Sequence, residues 1–99
     1  MVEFSPVANE ELREAILFYD DAQAGTGDRF SRAVDAAIND IVQAPMRFAV
    51  YEGKQTRHVY RRVLLNSFPY MIIYQAQDDR IRIVAVVHAS RAPGYWEGR

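Results

Sequence analysis

Ninety-nine residues, 49% apolar and 25% charged, suit one globular domain, residues 1–99, and leave no room for a second core. The absence of cysteine excludes a disulfide framework and a thiolate metal site. The net charge of −1 conceals an uneven distribution: residues 1–44 hold nine acids against three arginines, whereas residues 45–99 hold nine bases against four acids. A half with surplus positive charge suits an anionic partner.

The amino-terminal stretch MVEFSPVANEELREA has no apolar core of signal-peptide length. The longest purely apolar run, Ile83 to Val87, falls far short of the roughly 18 residues of a membrane span. The expectation is a cytoplasmic protein with no membrane partner.

In chain order, Val2-Glu3-Phe4-Ser5 alternates apolar and polar and predicts a short edge strand. Ser5-Pro6 predicts a helix start, because Ser5 can cap and Pro6 fits the first helical position. Ala8, Leu12, Ala15, Ile16 and Tyr19 fall on one helical face. Glu10, Glu11 and Glu14 fall on the other, near the positive end of the helix dipole. Ala24-Gly25-Thr26-Gly27 predicts the break. A second helix follows from Phe30, Ala33, Val34, Ala37, Ile38, Ile41 and Val42, and Pro45 stops it. The short connection implies a helical hairpin.

Met46 to Gln55 has no period and reads as a surface loop turning at Gly53. Thr56 to Leu65 has strand composition. Alternation puts Arg57, Val59, Arg61, Val63 and Leu65 on one face and His58, Tyr60, Arg62 and Leu64 on the other. Arg61 and Arg62 therefore point to opposite faces, and either could bridge to a helix acid. Tyr70–Gln75 and Ile81–His88 are β-branched and aromatic runs, joined by turn chemistry at Gln77-Asp78-Asp79-Arg80. That hairpin delivers His88, Arg91, Tyr95 and Trp96 to one edge. The expected fold is α+β, in the order β-α-α-β-β-β, with an antiparallel sheet and the helical hairpin packed on one face. The other face is expected to be partly open and to bear arginines.

The helix pair, the Arg61-Arg62 strand, Phe68-Pro69-Tyr70-x-Ile72-x-Tyr74 and the ending His88-x-x-Arg91-x-Pro93-x-Tyr95-Trp96 together resemble the RelE/ParE superfamily of bacterial toxins. The resemblance covers nearly the whole chain. It implies the toxin of a type II toxin–antitoxin module, arresting growth when freed from a cognate antitoxin. RelE-like members cut messenger RNA on the ribosome, and ParE-like members poison DNA gyrase.

A metal-free ribonuclease needs a base, an acid and cations on the pentavalent phosphate. For that reading the catalytic residues are His88, Arg91 and Tyr95, with Glu52 as a further base. Arg57, Arg61, Arg62, Arg91 and Trp96 would hold target or phosphate. His58 and His88 are too few for a metal site, and neither metal nor cofactor is expected. RelE-like nucleases resembling this chain place an arginine where Met71 stands, and several lysines where this chain has only Lys54. The pattern is therefore closer to the ParE-like branch, with gyrase as the expected target and the ribosome with its message as the alternative. Leu17 and Phe18 form an apolar flank suited to an amphipathic antitoxin segment.

Overall fold

The computed structural model describes residues 1–51 and 59–90. Its elements are β1 (Val2–Phe4), α1 (Pro6–Ala22), α2 (Thr26–Gln43), β2 (Arg61–Leu64), β3 (Tyr70–Gln77) and β4 (Arg80–His88). This is the expected α+β order, and the sheet runs β1-β4-β3-β2. The last three strands form an antiparallel meander. β1 adds to the outer side of β4 in parallel, a pairing that the intervening helical hairpin makes possible.

Ser5 caps α1 as its sequence position implies: its Oγ accepts the Ala8 N–H at 3.0 Å and donates to the Val84 carbonyl at 3.1 Å. Ala8 and Ala15 are buried, with Leu12, Ile16 and Tyr19 packed against the core. Glu10 and Glu14 are exposed, but Glu11 is half-buried and turned toward β4. The acids also miss the dipole they were expected to meet. The first turn holds none, and the effect fades beyond that turn.

Only residues 23–25 separate the helices, so Thr26 and Gly27 belong to α2 rather than to the break. Gly25 precedes α2 with φ of 90° and supplies no side-chain cap. Asp20 substitutes for one, its Oδ1 accepting the N–H groups of Gly25 (3.0 Å) and Gly27 (3.2 Å). The helices meet closely here, since a Cβ on Gly27 would lie 2.6 Å from the Ile16 carbonyl oxygen. Along α2, Phe30, Val34, Ala37 and Ile41 are buried, while Val42, at the margin of the stripe, is exposed.

These helix residues pack on Val63, Leu65, Ile72, Tyr74, Ile81, Ile83 and Val86. β3 keeps strict alternation, but β4 does not: Ile73 pairs with Ala85 and Tyr74 with Ile83, which leaves Val84 as the extra residue of a bulge. The bulge shifts the phase of β4. Ile81, Ile83 and Val86 face the helices, while Val84, Ala85 and Val87 face away.

Two expectations about the sheet change. The face away from the helices is not open along its centre. Tyr60, Ile73, Val84, Ala85 and Val87 are buried in a second apolar cluster, with Tyr51 and Met71 packed against it. The presumed surface loop also pairs in part with β2. Val50 bridges Arg61, the Tyr51 N–H donates to the Tyr60 carbonyl at 2.7 Å, and the Arg62 N–H donates to Ala49 at 3.0 Å. Those bonds cover an edge that would otherwise expose unpaired backbone. The remainder of the loop, including Gly53, and the start of the predicted strand, Thr56 to His58, lie outside the described residues.

Candidate functional site

The β3–β4 hairpin is longer and tighter than its sequence suggests. Pairing runs to Gln77 and Arg80 and leaves a two-residue turn in which Asp78 takes φ of 55°. Short acidic and amide side chains tolerate that conformation better than most. At the other end of the hairpin, His88 pairs with Tyr70. Its ring meets the Tyr70 ring edge-on, with centroids 5.2 Å apart. His88 Nδ1 accepts the Ser90 N–H at 3.1 Å and lies 2.7 Å from Ser90 Oγ. The imidazole is exposed, but one nitrogen is held locally.

Tyr70 continues into an aromatic cluster. Phe30 stacks on Tyr19, and Phe68 meets both rings edge-on at about 5 Å. Burial pushes the Tyr70 phenol above its usual 10.0, helped by the neighbouring Tyr19 hydroxyl. Phe18 touches Tyr19 edge-on at 5.3 Å yet remains 65% exposed, beside Leu17 at 64%. Two large apolar side chains therefore stand on the surface of α1 where a partner could cover them.

The two arginines of β2 separate as alternation requires. Arg61 lies on the helix side with Val63 and Leu65, and its Nη1 donates to the carbonyls of Phe48 (2.8 Å) and Met46 (3.3 Å). It ties down the α2–β2 connection instead of bridging to a helix acid. Tyr74 works beside it, its buried hydroxyl donating to the Pro45 carbonyl. Burial raises the Tyr74 pKa, against a smaller lowering by Arg61 and Arg47. Arg47 itself sits over the Phe48 ring at 4.7 Å, a residue the sequence offered only as part of a loop. Arg62 points to the opposite face and is exposed.

His88 and the β2 arginines do not converge. His88 sits level with Tyr70 and Arg61 level with Tyr74 on the same strand, an offset of about 13 Å along the sheet at strand rise. Arg62 is on the wrong face to join His88. Met71 is partly buried against the second apolar cluster. Arg57, Arg91, Tyr95 and Trp96, with Glu52, Lys54 and His58, lie outside the described residues. Among the described residues no group of three or more histidine or carboxylate side chains could hold a metal ion. No described helix is long and apolar enough to cross a membrane.

Three comparisons bear on this arrangement. A family described as "ParE toxin of type II toxin-antitoxin system, parDE" matches residues 2–93. Toxin ParE2 of Mycobacterium tuberculosis, in two strains, is 38% identical over 85 residues, spanning 85% of this chain and 76% of the relative. A chain from the chromosomal ParDE toxin–antitoxin system of P. aeruginosa superposes with a TM-score of 0.73. It covers 88% of this chain and 92% of its own at 11% identity, which is a likeness of fold.

Proposed function

We propose that this protein acts by binding rather than by cutting: it belongs to the ParE toxin family of type II toxin–antitoxin systems, and DNA gyrase is the target the ParE-like resemblance implies. The observation that carries this reading is Met71. At a position where a nuclease of the wider superfamily would present a cation, this chain packs a partly buried thioether against the second apolar cluster. A cation missing from a phosphate cradle costs transition-state stabilisation directly, and removing even one electrostatic donor from an active site typically costs about 3–4 kcal/mol. The separation of His88 from Arg61 and Arg62 supports the same conclusion, because a general acid or base and the cations that hold the phosphate must meet at one reacting centre.

A toxin of this type requires a cognate antitoxin, and the exposed Leu17-Phe18 flank of α1 is the proposed docking surface. An amphipathic segment laid along it would cover apolar area at no cost in buried polar groups. Arg62, together with Arg57, Arg91 and Trp96, is proposed for the target side.

The test uses purified components. Gyrase supercoiling and cleavage of ribosome-bound message are each measured with and without the protein. Inhibited supercoiling with intact message supports the reading. Message cut only when the protein is present, with supercoiling untouched, assigns it instead to the nuclease branch.

A further inference from the structure

Two of the three arginines in the acid-rich half of the chain converge on one cleft. Arg29 and Arg32 stand one turn apart on α2 and, with Ala33, form one wall. Asn66, Ser67 and Phe68 of the β2–β3 turn form the other, flanking an open groove of about 410 Å³. No carboxylate lines this space, although the half of the chain that supplies the arginines carries nine acids. Ser67 takes φ of 69°, the left-handed region that a serine seldom occupies. That turn places Asn66 and Ser67 on the wall across from Arg29 and Arg32.

We propose that this cleft binds a phosphate or pyrophosphate group. Each guanidinium carries five N–H donors in a planar fork suited to phosphate oxygens. Arg29 spends Nη2 on Thr26 Oγ1 at 3.1 Å, which fixes the head and leaves further donors. Arg32 is engaged by Asp28 at 2.9 Å, with both side chains well exposed, at 78% and 64%. An ion pair so exposed contributes little, so a dianionic phosphate can displace Asp28 from Arg32. The amide and hydroxyl of Asn66 and Ser67 supply neutral donors from the facing wall. Asp28 is thus a competitor for the ligand, paired with Arg32 from outside the lining of the cleft.

The test is a titration of the full chain at low ionic strength with inorganic pyrophosphate, ATP and a short DNA duplex. Amide shifts of residues 29–33 and 66–68 report the site, and calorimetry reports the affinity. Pyrophosphate should shift those amides, and Arg29→Ala or Arg32→Ala should each weaken binding by roughly tenfold or more, as expected for a lost charge-assisted bond. Asp28→Asn should tighten it, and Arg13→Ala on α1 should leave it unchanged. ATP binding more tightly than pyrophosphate with the same variant dependence identifies a nucleotide. Tighter binding of the duplex, with ATP no better than pyrophosphate, identifies backbone phosphate. An Arg29→Ala/Arg32→Ala protein that binds pyrophosphate as well as the parent overturns the proposal, as does the absence of any shift at millimolar concentration. Neither result bears on gyrase, so this site and the proposed function fail separately.

Discussion

Glu11 accepts the Val86 N–H on its Oε1 at 3.2 Å, one face of a helix completing the edge of a strand 75 residues away. β1 pairs only with Ile81–Ile83, and beyond it Ser5 Oγ takes the Val84 carbonyl and Glu11 takes the Val86 amide. Polar side chains from the start of α1 thus continue the work of a strand that ends at Phe4. They do so at the bulge, where a regular partner strand would lose register.

Replacing Glu11 with alanine should strand the Val86 amide against the core. The expected loss is on the order of 1–3 kcal/mol, the cost of an orphaned, partly buried donor. Glu11→Gln keeps a carbonyl acceptor and should recover most of it. Denaturant unfolding of the three proteins measures the difference, and amide exchange at Val86 localises it. Equal stability of the alanine and parent proteins would show that water serves Val86 as well as the carboxylate does.

Gly27→Ala tests the close helix crossing. The added Cβ meets the Ile16 carbonyl oxygen at 2.6 Å and the Asp20 side chain at 3.0 Å, so the helices must separate or tilt. Overpacking of this kind typically costs about 1–3 kcal/mol, read as a lower Tm. Gly25→Ala has open space for its Cβ but a φ of 90°, and should cost about 1–2 kcal/mol through backbone strain alone. A Gly27→Ala protein as stable as the parent would show the crossing to be compliant.

Alkaline pH should loosen the fold. Burial raises the phenols of Tyr70 and Tyr74 above 10.0, so the folded state holds these protons more tightly than the unfolded chain does. That contribution is complete below the unfolded value and is lost as pH rises through the folded values. Unfolding free energy should therefore fall above about pH 10 relative to about pH 8. Tyr74→Phe should fall less steeply, and should start about 1 kcal/mol lower for want of the bond to Pro45. A decline equally steep in Tyr74→Phe would assign the effect to other groups.

Leu17→Ser with Phe18→Ser should leave the fold nearly unchanged, because both side chains are about two-thirds exposed. Affinity for the cognate antitoxin, measured by calorimetry, should fall by more than tenfold if both anchor a helix or strand, since each buried large apolar side chain contributes about 1.5–3 kcal/mol. Unchanged affinity places the antitoxin elsewhere.

Local chemistry made the helical hairpin legible. Ser5-Pro6 can only start a helix well, and the stripe from Phe30 to Ile41 has one face to bury. The phase of β4 was hidden because Ile83 to Val87 are all apolar, so both faces look alike and a bulge at Val84 leaves no trace in composition. Alternation separated Arg61 from Arg62, but only the packing of Val63 and Leu65 against the helices says which is which. Glu11 read as one acid among three on a solvent face, since a bond to a strand 75 residues away has no local signature. The cleft of Arg29 and Arg32 was hidden for the same reason: its second wall comes from the β2–β3 turn.

The central claim is that this chain inhibits by binding. Its most direct test is gyrase supercoiling in the presence of the purified protein, run beside cleavage of ribosome-bound message. Concentration-dependent loss of supercoiling with the message intact is the predicted result. Message cleavage at concentrations that leave supercoiling unaffected would contradict it.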